Sequence, residues 1–139
     1  MKTAIAVLLF LFPIVAAATG PDDIVGVWLT ENDESKVQIY KVGTEYFGKI
    51  TWLKEPNDAS GRPKKDKNNP DATKRNNPAI GILILKNVHY KEGKWKGTIY
   101  GPKRGKEVDC ILKLKGNDVL EGTASYGLIS GSKTWRRVK

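Results

Sequence analysis

Residues 36–53 read KVQIYKVGTEYFGKITWL and contain the clearest β-hairpin signal in the chain. Apolar and polar residues alternate along both halves, which is the period of a half-buried strand. Gly43-Thr44 between the halves is a two-residue turn of the kind that joins antiparallel strands. Val37 and Ile39 fall on one side of the first strand, so we expect them to face the interior. Gly48 inside the second strand indicates a bulge or a bend.

The same alternation extends away from this hairpin and predicts eight short strands. Turns rich in Gly, Asn and Asp separate most of them, and no segment after residue 23 keeps a helical period. We therefore expect an all-β fold, a single small antiparallel up-and-down β-barrel that closes on itself and so removes the sheet edges. An open sandwich is the alternative. The predicted strands are 24–30, 36–42, 45–53, 80–85, 95–100, 106–115, 119–126 and 133–138.

The first 18 residues have the three parts of a secretory signal peptide. Lys2 supplies the positive charge, residues 4–15 are apolar, and Ala16 to Ala18 offer the small residues that signal peptidase accepts. The apolar run is shorter than the roughly 20 residues that a membrane span needs. We expect cleavage after Ala18, a mature chain of residues 19–139 without a transmembrane segment, and export to the periplasm, with secretion as an alternative.

The mature chain has the length of one domain and carries a single cysteine, Cys110, so no internal disulfide stabilises it. The whole sequence has 24 Lys and Arg against 15 Asp and Glu, a formal net charge of +9. A basic surface attracts nucleic acid, anionic lipid or acidic small molecules. Because we expect the protein to be exported, we do not expect nucleic acid to be its partner. Lysines that only keep a β protein soluble are the other interpretation.

The most unusual segment is the loop 54–78, whose 25 residues include no large apolar side chain and seven Lys or Arg. Loops this long within a compact domain are usually functional or disordered. One hypothesis is that polar side chains of the loop converge at the barrel mouth to bind a ligand. The alternative is structural: Asn69 caps a helical turn that begins at Pro70, and the others close local turns. The proposed ligand-binding residues of the loop are Asp66, Asn68, Asn69 and Arg75.

The sequence offers little for catalysis, and we predict no catalytic residue, no metal site and no cofactor. Cys110 alternates with Val108 and Leu112, which places its thiol in the core, where it is inert. His89 is the only histidine, and one histidine with a buried thiol makes neither a hydrolytic triad nor a metal site. Glu107 and Asp109 are expected to face solvent. An enzyme centred on Asp66 is therefore only the third hypothesis.

The two ends of the domain carry residues suited to closing a barrel. Gly26-x-Trp28 opens the domain and Trp135-x-Arg137 ends it. First and last strands of a closed barrel are neighbours, so we expect Arg137 to lie over Trp28 in a cation–π contact. Two unrelated core tryptophans are the alternative.

These motifs, taken in order, resemble an exported bacterial family catalogued as domain of unknown function 2147. The resemblance implies a lipocalin-like (calycin-type) β-barrel in the cell envelope, and it places Asp66, Asn68, Asn69 and Arg75 in the signature block of the family. The matching residues are Gly26-x-Trp28, Tyr46-x-Gly48-x-Ile50-x-Trp52, Asp66-x-Asn68-Asn69-Pro70 with Arg75, Gly81, Trp95-x-Gly97-x-Ile99-Tyr100-x-Pro102 and Trp135-x-Arg137.

The leading functional hypothesis is a non-enzymatic binding domain for a small amphiphilic or anionic ligand at the barrel mouth. Trp52 and Tyr100 join the loop residues as expected ligand contacts, and Arg75 pairs with a carboxylate or phosphate. The second hypothesis is a protein-interaction or envelope-surface module that docks an acidic partner on the basic loop. An interior packed solid by the same side chains is the structural alternative. The residues expected to line the barrel are Val37, Ile39, Ile50, Trp52, Ile99, Leu112 and Leu120.

Overall fold

The computed structural model describes residues 3–9, 20–126 and 129–139. The predicted cleavage site after Ala18 lies outside the described residues. Short 3-10 turns occupy Pro21–Ile24, Glu31–Asp33 and Ala72–Lys74. The strands are β1 (Gly26–Leu29), β2 (Ser35–Val42), β3 (Glu45–Leu53), β4 (Leu83–Lys91), β5 (Lys94–Gly101), β6 (Lys106–Lys115), β7 (Val119–Tyr126) and β8 (Ile129–Arg137).

The strands form a closed barrel in which each pairs antiparallel with the next. β1 and β8 complete the ring through the pairs Trp28↔Arg137 and Leu29↔Arg136. The predicted up-and-down barrel is confirmed, and the sandwich alternative is wrong. Because alternate connections fall at opposite ends, segment 54–82 and turns 30–34 and 102–105 share one end, the loop end. Residues 20–25 and the turns 43–44, 92–93 and 116–118 share the other, the tight-turn end.

β4 differs from its prediction, because the strand begins at Leu83 instead of Ile80 and continues to Lys91. Gly81 has φ +105 and its N–H donates to the Ile50 carbonyl at 2.8 Å, so residues 80–82 form a turn onto β3. Both faces of β4 are covered near its start. Ile84 is 6% and Leu85 is 1% exposed, although consecutive strand residues point to opposite faces.

The interior of the barrel is filled by side chains. Trp28, Val37 and Trp95 have no accessible surface, whereas a side chain that bordered a water-sized void would retain some. The surroundings of two strand glycines also indicate close packing. A Cβ added to Gly48 would lie 3.1 Å from atoms of Leu85 and Val37, and a Cβ added to Gly97 would lie 2.7 Å from Val88. These contacts favour the solid core over the hollow barrel.

The expected lining residues take their predicted places with one exception. Val37, Ile39, Ile50, Leu112 and Leu120 are buried, and Ile99 packs against them. The inward placement of Trp52 is wrong, since this side chain is 40% exposed. Lys36 pairs with Trp52 while Val37 pairs with Ile50, so Thr51 is an extra residue on β3. This bulge shifts the alternation by one residue and turns Trp52 to the outer face.

Candidate functional site

The loop 54–78 folds back on itself at the loop end of the barrel. Its base is closed by two backbone bonds, from Asp66 N–H to the Asn77 carbonyl and from Ala79 N–H to the Lys64 carbonyl, both 2.9 Å. A smaller turn lies within it, where Lys64 N–H donates to the Pro56 carbonyl at 2.9 Å. The segment therefore has a defined backbone frame even though it lacks large apolar side chains.

Asp66 anchors this frame to the barrel wall. Its carboxylate is nearly buried, with the residue 4% exposed, and accepts hydrogen bonds from the Tyr100 hydroxyl at 2.7 Å and from Asn69 Nδ2 at 2.8 Å. Tyr100 lies in β5 on the same side as the exposed Lys94 and Lys96, so Asp66 reaches the outside of the barrel. Burial and then the bond to Asp66 raise the pKa of Tyr100, which keeps the phenol protonated as a donor.

Asn68 docks the loop on the turn between β5 and β6. Its Nδ2 donates to the Pro102 carbonyl at 3.2 Å and to the Lys103 carbonyl at 3.1 Å. Gly105 in that turn has φ +62, and an added Cβ would lie 1.8 Å from the Asn68 carbonyl oxygen. A residue with a side chain would therefore separate the loop from the turn.

Asn69 and Arg75 shape the far side of the loop. The 3-10 turn is capped by Asp71, whose Oδ1 accepts from Thr73 N–H at 3.0 Å, so the prediction that Asn69 is the cap is wrong. Asn69 Oδ1 instead accepts from Asp71 N–H at 2.9 Å, because the turn begins two residues later than expected. Arg75 Nε donates to the Asn69 carbonyl at 2.8 Å, and the guanidinium stays exposed.

The structure thus brings Asp66, Asn68, Asn69 and Tyr100 together as contacts that hold the loop, with Arg75 bonded to the same loop backbone. Trp52 lies on the outer face of β3, in none of these contacts. Sequence reasoning did not anticipate that Asp66 and Tyr100 bond to each other. The sequence indicated a link between the two residues only in that both belong to the set that resembles the family.

Positive charge at the loop end is largely unpaired. Of the seven Lys and Arg in segment 54–78, Lys64 is the one with a carboxylate within 4.0 Å among the described residues, namely Glu55 at 3.9 Å. Beside the loop, Lys103 Nζ bonds to Glu34 at 2.8 Å, and this ammonium holds the pKa of Glu34 below its usual value. Both pairs are exposed and contribute little to stability.

The tight-turn end is closed as expected, by Arg137 over Trp28 with 4.3 Å between the guanidinium carbon and the ring centroid. Arg137 also donates to the carbonyls of Asp23, Val25 and Asn117. Gly26 has φ +145, and an added Cβ would lie 2.7 Å from Arg137 Nη1. Trp135 is buried in the same core at 7% exposure.

The N-terminal 3-10 turn completes this closure, which sequence reasoning missed. The Trp28 and Trp95 indoles donate to the Ile24 and Pro21 carbonyls, both at 2.9 Å. The Tyr46 hydroxyl donates to Asp22, and burial followed by this carboxylate raises the pKa of Tyr46 to about 12.

The chemistry of the remaining candidates is limited. Cys110 is buried, and desolvation raises the pKa of its thiol to about 11, so a reactive thiolate is disfavoured. His89 is exposed and its Nε2 lies 3.2 Å from Glu45. Across residues 3–9, 20–126 and 129–139, no group of three or more His, Cys, Asp or Glu side chains is arranged to hold a metal ion. Glu107 and Asp109 face solvent as predicted.

Comparisons with known proteins agree with this architecture. A family model described as "Uncharacterized protein conserved in bacteria (DUF2147)" matches residues 26–137. A solved structure of protein HP1028 from Helicobacter pylori, described as belonging to the lipocalin family, superposes with a TM-score of 0.71 at 24% identity. The match covers 83% of this chain and 82% of that one and shows a shared fold. No curated protein matches the chain.

Proposed function

Because this chain belongs to the bacterial DUF2147 family and has a lipocalin-like barrel, we propose that it is a non-catalytic binding domain whose ligand carries an anionic group. The binding surface is the loop end of the barrel. The observation that carries this proposal is a loop with a fixed frame and unpaired cations. Such a surface offers charge to a ligand without first having to break internal ion pairs.

The loop contains one set of side chains that hold its backbone and another set that stays exposed, and this supports the proposal. The side chains of Asp66, Asn68 and Asn69 form hydrogen bonds to other groups of the protein, and these bonds fix the loop backbone. Lys65 and Lys67 lie on the same backbone, are exposed and have no carboxylate within 4.0 Å in the described part of the chain. A preorganised loop loses less entropy when it binds than a mobile one, which favours affinity.

The same end also presents apolar surface for an amphiphilic ligand. Ile80 is the second residue after the loop and is 45% exposed. With the interior packed, the apolar part of the ligand lies against this surface and does not enter the barrel. Arg75 contributes its exposed guanidinium beside the Asn69 carbonyl that it already bonds.

Native mass spectrometry of residues 19–139 purified from a bacterial periplasm tests for a bound ligand, which appears as an extra mass lost on denaturation. Titration with lysophosphatidylglycerol, and with zwitterionic lysophosphatidylcholine as control, tests the charge requirement. We expect binding of the anionic lipid that weakens with salt. Lys65→Glu with Lys67→Glu should weaken binding by about tenfold or more, the effect of losing charge-assisted contacts.

The matched control is Lys91→Glu with Lys94→Glu, which makes the same charge change at the tight-turn end. This variant should bind within about twofold of the parent protein, because its charges lie well beyond a Debye length of about 8 Å at physiological salt. Equal loss of binding in both variants would show a general charge effect and contradict a site on the loop. Equal affinity for the two lipids would also contradict the proposal.

A protein-interaction or envelope-surface module is the second candidate, and the filled interior favours it because docking on the loop needs no internal space. Vesicles of phosphatidylglycerol separate the two. A surface module binds the vesicles but not monomeric lysolipid, whereas a small-ligand site binds the monomer.

We also propose that the protein is exported and acts in the periplasm. Support comes from the amino-terminal pattern and from Ile5, Val7, Leu8 and Leu9, which are 71–87% exposed and take no part in the core. No helix among the described residues is long and apolar enough to span a membrane. Cell fractionation with amino-terminal sequencing tests this: mature protein beginning at Thr19 in the periplasmic fraction is expected, and an uncleaved cytoplasmic chain would overturn it.

A further inference from the structure

The outer face of the β2–β3 hairpin carries a stripe in which aromatic rings alternate with cations. Three cross-strand pairs form it: Lys36↔Trp52, Gln38↔Lys49 and Tyr40↔Phe47. None of these residues belongs to the loop 54–78. We call this set the β2–β3 stripe.

The stripe exists because of the bulge at Thr51. Without the extra residue Trp52 would point into the core, next to Ile50. With it, Trp52 lies on the outside beside Lys36, and the residue is 40% exposed. The other three tryptophans of the chain, Trp28, Trp95 and Trp135, are at most 7% exposed.

The rings and the ammonium groups are held in contact with one another. Lys36 Nζ lies 5.1 Å from the Trp52 ring centroid, and Lys49 Nζ lies 5.6 Å from that of Tyr40. Tyr40 and Phe47 stack with centroids 6.1 Å apart and 27° between their planes. Such cation–π contacts at an exposed site contribute about 0.5–1 kcal/mol each and hold the lysine heads above the rings.

The charge of the stripe is positive and lacks an internal partner. No carboxylate of the described residues lies within 4.0 Å of Lys36 or Lys49. The first acidic residue along the stripe is Glu45 at its far end, where His89 Nε2 lies 3.2 Å from the carboxylate. Exposed aromatic surface beside unneutralised cations is typical of a binding surface, since large apolar rings are otherwise kept from solvent.

We propose that the β2–β3 stripe binds an acidic polysaccharide. On binding, Lys36 and Lys49 leave the ring faces and bond to acidic groups of the polysaccharide, and the flat C–H faces of sugar rings pack on the Trp52 and Tyr40 faces that the lysines vacate. Between them, the Gln38 amide offers a neutral donor and acceptor for hydroxyl groups. The five residues from Lys36 to Tyr40 span about 13 Å of strand, which is long enough to contact more than one sugar unit.

Single-stranded nucleic acid has a related chemistry, since its bases stack and its phosphates are acidic. We prefer the polysaccharide to nucleic acid because an exported protein meets acidic polysaccharides outside the cytoplasm. This preference rests on the proposed export. The two polymers are therefore compared directly in the test.

The experiment uses alginate as the acidic polysaccharide, dextran as the neutral one, and a single-stranded oligothymidylate. Affinity electrophoresis of the mature protein measures retardation by each polymer. Acrylamide quenching of fluorescence reports mainly on Trp52, because the other tryptophans are buried. We expect alginate to retard the protein and to protect Trp52 from acrylamide, and dextran to do neither.

Trp52→Ala should weaken alginate binding by about tenfold, consistent with the loss of one stacking contact. Its control is Ile111→Ala, since Ile111 is an outer-face apolar residue with 41% exposure, close to that of Trp52. Lys36→Gln with Lys49→Gln should weaken binding similarly, against Lys94→Gln with Lys96→Gln as the charge-matched control on β5. Circular dichroism and thermal unfolding establish that each variant keeps the fold.

Four results would overturn the proposal: no binding of alginate by the parent protein, equal loss in test and control variants, tighter binding of the oligothymidylate than of alginate, or retardation without protection of Trp52. Lys65→Glu with Lys67→Glu distinguishes this site from the loop. If that variant abolishes alginate binding while Trp52→Ala leaves it unchanged, the loop is the site and the stripe is not.

Discussion

Arg137→Ala tests whether one side chain closes the barrel at the tight-turn end. The guanidinium donates to the carbonyls of Asp23, Val25 and Asn117 and lies 4.3 Å from the Trp28 ring centroid. The Arg137 side chain is 23% exposed. Each of its three hydrogen bonds therefore contributes about 0.5–1 kcal/mol to stability, toward the low end of the usual range. The cation–π contact contributes about 1 kcal/mol. The expected loss in the free energy of unfolding is about 3 kcal/mol.

Urea unfolding followed by circular dichroism measures this loss, and calorimetry should show a fall in Tm of roughly 12 °C at about 4 °C per kcal/mol for a domain of this size. Arg136→Ala is the control, because its neighbouring guanidinium is 64% exposed and pairs with Asp33, itself 55% exposed. That variant should lose less than about 1 kcal/mol. If Arg137→Ala is no more destabilising than Arg136→Ala, Arg137 does not close the tight-turn end of the barrel.

Gly26→Ala gives an independent check on the same contact. The added Cβ would lie 2.7 Å from Arg137 Nη1, and φ +145 disfavours any side chain. Combined with Arg137→Ala, the substitution should cost less than it does alone, since the steric part of its effect disappears and only the backbone strain remains. Strict additivity of the two free-energy changes would contradict the assigned contact.

Three further predictions follow from the packing and the phenol contacts. Gly97→Ala should cost about 2 kcal/mol in urea unfolding, because its Cβ would lie 2.7 Å from β4 atoms, whereas Gly131→Ala, with nothing within 4 Å, should be nearly neutral. Tyr46 has a folded-state pKa of about 12 against 10.0 unfolded, so its contribution to stability is complete below about pH 10 and is lost as the pH rises. The fall in stability above pH 10 should therefore be shallower in Tyr46→Phe, and a profile that Tyr46→Phe leaves unchanged would refute the assignment. Tyr100→Phe removes one of two side-chain donors to Asp66 and should speed hydrogen exchange of the Asp66 and Ala79 amides, while unchanged exchange would show that the loop does not depend on this bond.

The elements predicted from local pattern were largely right. Alternation over β2 and β3 identified the hairpin, and Cys110 lies in the core as its position between Val108 and Leu112 indicated. The contact between Trp28 and Arg137 was also predictable, because closure of a barrel makes its first and last strands neighbours. Strand boundaries were predicted less accurately. β4 continues to Lys91, because a bulge near Asn87 interrupts the apolar alternation without ending the strand.

The candidate site was predicted in place but not in detail. The family motif directed attention to Asp66, Asn68, Asn69 and Arg75, and all four lie in one folded loop. Asn69 and Arg75 bond to residues of the loop itself, whereas Asp66 bonds to Tyr100 and Asn68 bonds to the Lys103 carbonyl, more than 30 residues away. No local pattern encodes such partners, since hydrogen bonds of loop side chains depend on where the chain returns in space.

The sequence by itself determined the class of fold and the number of strands, because side-chain alternation and turn chemistry are local properties that repeat along the chain. It favoured a closed barrel over an open sandwich, and the pairing of β1 with β8 in the tertiary structure decided between them. Tertiary structure decided which face Trp52 occupies, since a single extra residue at Thr51 reverses the alternation and its presence depends on pairing with β2. It also decided that the interior is filled, because that depends on how side chains such as Trp28 and Trp95 from different strands share one volume. Packing between residues distant in sequence is a property of the closed barrel and of no single strand.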